Sequence, residues 1–535
     1  MTASIFVRWL VLIISNIRCW ECEVESITVA CKVEDASEDE RMMLTGQTNN
    51  SRQAAWVAFG TVCSYCFTLL SSVILSRYFD KADYGTYQQV LYVYHTLLSV
   101  FTLGLPRAYS YFLPRVKGGE AKDVINKINA LFFGLGLLFS SLLYVFAPTI
   151  AVFLKNPDLT NALRIFSPVP FLMLPTMGIQ GVLATYRKGH LVALYTIVSR
   201  FLMLLFVAIP VVFGSGTYIE AIIGFTVAAF FDFFLAMYLK YYPVRKEPKT
   251  RSDVGYNSIL KFAIPLLYAS IWGILITSAD QFFISHYFGT SVFAEFSNGS
   301  IELPFVTMII GTCSTVLSPV FSRLSHEKVD PKKEIYPLWM SVYTKTVMLV
   351  YPLLVYCWVF ADTIMVFLFG EQYENSAIYF RIKIIANLFN LIIFAPLLIN
   401  VGKVRLYSNV HMMNAIAVIL LELLVVTICN SPYMVSIVSL ICKLGTIFIL
   451  LFAVAKFFGV RFHQLFPKSV MVKILIPSFC FLYVVHYLLC NMFFLNTIQI
   501  LIISAVTYFV CYLLYSKWIE LDYLKIVSPL LSKKK

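Results

Sequence analysis

The chain has 535 residues, of which 59% are hydrophobic and only 13% charged, and its formal net charge is +13. A composition this apolar excludes an ordinary soluble globule. Loops facing anionic lipid account for the basic excess, so no nucleic-acid partner is expected.

Residues 1–50 stand apart from the rest of the chain. Residues 5–17 are apolar but interrupted by Arg8, and residues 21–41 are acidic. The apolar run is too short for a good span and imitates a signal-peptide core without a small-residue cleavage site. The expectation is a doubtful extension, with the functional start at Met42 or Met43. The rival is an extra amphipathic or single-span segment. Cys19 and Cys22 form a lone CxxC, a weak metal or redox signal.

Beyond residue 50 lie fourteen apolar stretches, at roughly 54–76, 88–112, 128–153, 161–184, 191–213, 217–239, 258–284, 300–321, 340–360, 378–400, 407–429, 434–455, 474–490 and 497–515. A membrane-spanning helix needs about 20 such residues. This predicts an all-α integral membrane protein of about 14 transmembrane helices. Pro168, Pro170 and Pro175 predict kinks in the fourth stretch.

The charges give an orientation. Loops after even-numbered stretches, with the tail, hold 26 basic residues, Lys240 and Arg245 among them. The opposite side holds six, including Arg381 and Lys383. The positive-inside bias therefore predicts an even span count with both termini cytosolic.

Two segments after the first and seventh stretches are alike: Ser76–Tyr87 and Ser285–Phe296 share Ser, Tyr and Phe at their first, third and fourth positions. Their placement predicts two six-helix halves, 51–240 and 257–456, around a central cavity. A terminal helix pair at 471–515 and a basic tail at 516–535 complete the plan.

Charges within apolar stretches are costly and mark cavities or partners. They are Arg107, Arg200, Asp232, Asp280, Glu422 and Lys443. Structural ion pairs, Arg200 with Asp232 and Lys443 with Glu422, are one reading; ligand contact is the other. The histidines are dispersed and the cysteines form no framework, so no metal or cofactor is implied.

Several loose motifs occur in a consistent order: the Ser76–Tyr87 turn, Gly104-Leu105-Pro106, Leu260–Pro265, Asp280, Tyr287-Phe288-Gly289 and Val316–Leu324. In these the chain, over residues 51 to about 515, resembles the polysaccharide or O-antigen flippases of the multidrug/oligosaccharidyl-lipid/polysaccharide exporter superfamily. The second turn departs from the pattern, with Ala294 where the first has Gly85.

The resemblance implies a multi-pass exporter in the bacterial inner (cytoplasmic) membrane. It would translocate polyprenyl-diphosphate-linked oligosaccharide by alternating access, for cell-surface polysaccharide biosynthesis. It implies Arg107 as the first choice for the phosphate, with Arg200 and Lys443 as further contacts. Asp280, with Asp232 and Glu422, is expected to carry a coupling ion or serve as a structural partner. Implied partners are the lipid-linked oligosaccharide and membrane lipids, with a polysaccharide polymerase and glycosyltransferases alongside.

Two rival classes remain. An ion-coupled small-molecule or drug antiporter of the same superfamily expects a more acidic or apolar cavity. A membrane glycosyltransferase or polymerase expects paired carboxylates on a sizeable loop. Asp362, Glu371 and Glu374 are the most suggestive acidic group for it. No phosphate-cradling or nucleophile motif is present, and the expectation is a non-enzyme.

Overall fold

The computed structural model describes residues 38–519 apart from 117, 215, 249, 328, 393 and 492–494, with side chains described from Trp56 onward except at a few helix positions. The expectations about residues 1–37 and the tail from 520 lie outside the described residues. All regular structure among the described residues is helical.

The chain opens with α1 (Glu38–Tyr78), α2 (Lys81–Phe101), α3 (Pro106–Phe112) and α4 (Gly119–Phe153). The stretch expected at 161–184 is divided into α5 (Leu159–Phe166), α6 (Pro168–Met173) and α7 (Ile179–Thr185). Its prolines interrupt it where the sequence placed kinks. Next come α8 (Gly189–Phe213), α9 (Tyr218–Tyr241), α10 (Tyr256–Gly299), α11 (Pro304–His326) and α12 (Tyr336–Val359). The chain then forms α13 (Ala361–Phe369), α14 (Ser376–Asn390), α15 (Ala395–Asn400), α16 (Val404–Cys429), α17 (Pro432–Phe458), α18 (Lys468–Asn491) and α19 (Thr497–Trp518).

Ten helical segments among the described residues are long and apolar enough to cross a membrane; an eleventh is added if Tyr256–Tyr268 and Ser270–Gly299, bent by 44°, cross as one. The stretches expected at 88–112, 300–321 and 378–400 are the three that do not meet this test. In 88–112, α2 stops at Phe101, and Leu103 and Gly104 take positive φ before Pro106 restarts the helix. The stretch expected at 300–321 is taken by α11, which begins at Pro304 after α10 has run on to Gly299 through a kink at Gly289. The stretch 378–400 is split between α14 and α15.

The helices before residue 245 meet those after 256 chiefly where α2 lies along α10. The approach is so close that a Cβ at Gly85 would stand 2.1 Å from the Thr290 carbonyl oxygen. Only glycine allows the two backbones this distance. Polar groups line the seam. Lys81 pairs with Glu295 at 2.6 Å, and the Tyr84 hydroxyl donates to Asn298 at 2.7 Å. Gln89 donates to Ser285 at 2.8 Å and accepts from Asn156 at 2.7 Å. At the other end of α2 and α3 the contact is apolar. There the Tyr111 ring stacks on Phe262 with centroids 4.2 Å apart.

The prolines of the fourth stretch free backbone carbonyls, and Lys240 serves them. Counted from sequence as a loop cation, Lys240 is wholly buried, with 0% exposure. Its Nζ donates to the carbonyls of Pro175 at 2.6 Å and Met177 at 3.0 Å, and to Asn129 Oδ1 at 3.1 Å. It also lies over the Tyr109 ring, 4.7 Å from the centroid. One ammonium thus ties α9 to α3, α4 and the break before α7. Lys240→Met removes the donor and leaves these acceptors unserved. That should cost about 3 kcal/mol, because buried polar atoms that lose their partner bear the full desolvation penalty. The check is the melting temperature of detergent-solubilised protein, which should fall by several degrees.

Candidate functional site

A cavity with two lobes opens beside the α2–α10 seam. The first lobe, of about 450 Å³, is enclosed by α1, α2, α8, α9 and α10. The second, of about 630 Å³, lies among α10, α11, α14, α16 and α17. Thr277, Gln281, Phe296 and Ser300 line both, so the lobes adjoin along α10 and its C-terminal break.

The first lobe is cationic. Arg200 from α8 and His95 from α2 line it, with the hydroxyls of Thr68, Ser71 and Ser72 from α1. No carboxylate is among its lining residues. Arg200 is exposed to the cavity and makes no hydrogen bond or ion pair among the described residues. The expected pair with Asp232 is not formed. Asp232 is buried behind the lobe at 1% exposure, where it accepts the Tyr195 hydroxyl at 3.1 Å. Its other oxygen has no hydrogen-bond partner. Asp232 thus acts on Arg200 only through space, leaving the guanidinium donors free for a ligand.

The second lobe is mixed in charge. Lys383, Lys443, Asp280 and Glu302 line it, with Asn390 and Asn414. The expected Lys443–Glu422 pair is also not formed. Lys443 lies within Coulombic range of Lys383, Glu302 and Asp280. Glu422 is fully buried on α16 and faces the Asp280 carboxyl. Neither Glu422 oxygen, nor Asp280 Oδ1, meets a hydrogen-bond donor. Two carboxyls so placed repel one another when both carry charge.

Arg107 is exposed at the start of α3 and lines neither lobe. Nearby, a Cβ on Gly104 would lie 2.9 Å from Leu266 Cβ, so the break before α3 packs tightly on α10. Asp362 is engaged by Arg381, which reaches both its oxygens, while Glu371 and Glu374 are exposed. Asp362 is thus held in an ion pair.

Sequence reasoning missed Lys383, which it counted on an outer loop, and His95. A usable signal existed. Tyr379, Lys383, Ala386 and Asn390 recur at helical spacing, and all four face the cavity.

This arrangement is that of a polytopic helical membrane protein built around a polar cavity, and comparisons with known proteins agree. Residues 74–378 match the family described as polysaccharide biosynthesis protein. The succinoglycan biosynthesis transport protein ExoT of Rhizobium meliloti (strain 1021) is 22% identical over 330 residues, which is 61% of this chain. The match covers 64% of that relative's length, just under two thirds. Among solved structures, the lipid II flippase MurJ in an inward closed conformation superposes with a TM-score of 0.67 at 17% identity, over 89% of this chain and 99% of that one. An inward-facing multidrug resistance MATE family transporter of the MOP superfamily gives 0.60 at 12% identity, over 74% and 95%. These structural likenesses establish the fold. The family match spans more than half of the chain, which therefore belongs to the polysaccharide biosynthesis protein family.

The facing carboxyls make a test of the site's energetics. Glu422→Gln supplies an amide donor to Asp280 and removes a buried acid that no donor serves. The melting temperature should rise, by the equivalent of about 1 kcal/mol. A fall of that size would mean that Glu422 holds a group bridging the two helices.

Proposed function

We propose that this protein carries polyprenyl-diphosphate-linked oligosaccharide from the cytosolic to the outer leaflet of the bacterial inner membrane. The observation that carries this reading is the acid-free first lobe with the unpaired Arg200 guanidinium. A diphosphate cannot cross hydrocarbon unaided. A fixed arginine beside a histidine and several hydroxyls offers it charge-assisted hydrogen bonds. The adjoining second lobe, with its amides and hydroxyls, suits the sugars, while the lipid tail remains in the bilayer.

The charge bias favours an orientation with the Lys81–Glu295 end of the seam outside and both termini in the cytosol. In that orientation the polar seam closes the outer end, and the headgroup enters from the cytosol past Arg107. Transport follows when the α2–α10 seam parts and the Tyr111–Phe262 end closes. The Asp280–Glu422 pair is the seat of a coupling ion, a proton or sodium, so an ion gradient or the membrane potential supplies the energy. A polymerase and glycosyltransferases acting on the same lipid would work alongside.

The test is flipping of a labelled polyprenyl-diphosphate oligosaccharide in liposomes holding the purified protein. Arg200→Ala should lower the rate at least about tenfold, the loss of one charged contact, and Arg107→Ala should lower it less. Efflux of a cationic dye, with no movement of several such lipids by the wild type, would instead support the drug-antiporter reading.

A further inference from the structure

We propose that the second lobe is an anion subsite of its own, in which Lys383 and Lys443 hold an acidic group on the oligosaccharide. The substrate class is then a glycan that carries negative charge beyond its lipid diphosphate. This inference rests on the flippase reading above and specifies its substrate.

The argument begins with two ammonium groups on different helices, α14 and α17, that face one cavity. They lie within Coulombic range of each other. Neither makes a hydrogen bond or ion pair among the described residues. Like charges in a site shielded from bulk water repel, and a third group of opposite sign relieves them. Asp280 and Glu302 lie within Coulombic range of Lys443, and Asp280 also of Lys383, but neither acid forms an ion pair with a lysine among the described residues. Asp280 is turned to the buried Glu422, and that pair needs a cation or proton for itself. Glu302 is exposed at the break between α10 and α11. It can accept from sugar hydroxyls while the lysines hold a carboxylate.

The lipid diphosphate is not the anion that fits here. Its place in the first lobe is already furnished with Arg200 and His95, and that lobe is lined by no acid. The second lobe is larger, reaches past Thr277 and Gln281, and offers Asn390 and Asn414 beside the lysines. One ligand spanning both lobes would therefore place its two anionic groups apart. Amides and hydroxyls between them meet neutral sugar. Lysine, a compact point charge on a flexible stem, suits a single carboxylate, whereas Arg200 offers the fork that matches phosphate.

The experiment compares two labelled lipid-linked oligosaccharides of equal length on the same polyprenyl diphosphate. One carries glucuronate where the other carries glucose. Both are assayed in liposomes with wild type, Lys383→Gln, Lys443→Gln and Lys383→Arg, each shown by its melting temperature to be folded. The wild type should move the acidic glycan about tenfold faster, equivalent to one charged contact. Each glutamine variant should bring that rate down toward the neutral one while slowing the neutral lipid far less, and Lys383→Arg should keep the preference. Equal wild-type rates for both lipids would overturn the inference and leave the flippase reading standing. So would glutamine variants that slow both lipids alike, since the lysines would then serve the diphosphate. Movement of neither lipid by the wild type would overturn the flippase reading, and this inference with it.

Discussion

A helix that breaks inside hydrocarbon frees backbone groups that only the protein can serve, and this constraint organises the N-terminal part of the bundle. The fourth stretch breaks at its prolines, and Lys240 reaches the carbonyls of Pro175 and Met177 from α9. The same ammonium touches Asn129 and Tyr109 on α4 and α3. A cation with no carboxylate is tolerable there because four oxygens and two aromatic rings surround it. The broken helices are thereby tied to one another by a single buried side chain.

The principal seam has opposite chemistry at its two ends. At one end, an ion pair and side-chain hydrogen bonds lock α2 to α10 around Gly85, where the backbones nearly touch. At the other, the closure is an aromatic stack and the Gly104 contact. Polar contacts of this kind are favourable when dry and are readily replaced by water when parted. An end closed by an ion pair can open into water with a modest change in free energy. An end closed by rings opens by exposing apolar surface, which a lipid-linked substrate can cover. The asymmetry suits a carrier whose load arrives from one side and leaves on the other.

Much of this was legible in the sequence, for identifiable reasons. Unpaired charges in apolar stretches stand out because few roles justify their cost, and Arg200, Lys443 and Asp280 do line the cavity. Pro106 and the 168–175 prolines marked real breaks. Lys240 and Lys383 were misplaced because hydropathy locates a span's end only to within a turn or so. A lysine one turn inside a helix reads as a loop residue. Hydropathy reads 88–112 and 378–400 as continuous because the breaks after Phe101 and Asn390 add little polarity to their windows. The expected ion pairs joined residues close in helix number. The structure instead places Glu422 against Asp280 and leaves Arg200 facing open space. Partner choice depends on helix rotation, which a single sequence leaves undetermined.

The charges around the cavity divide along one logic. Where a cation faces the cavity with its donors unused, as at Arg200, Lys383 and Lys443, the proposed substrate supplies its partner. Where a cation is saturated, as at Lys240 and Arg381, it holds the fold. The acids divide in the same way: Glu295 and Asp362 are paired, while the buried Glu422 and the Oδ1 of cavity-lining Asp280 meet no donor. An acid pair held dry next to a lysine pair makes the second lobe sensitive to both. A cation arriving at the carboxyls would relieve their mutual repulsion and remove their pull on Lys443. The lysines would then be freer for an anion. Coupling ion and substrate charge would thus meet across one helix, α10, which also forms the moving seam.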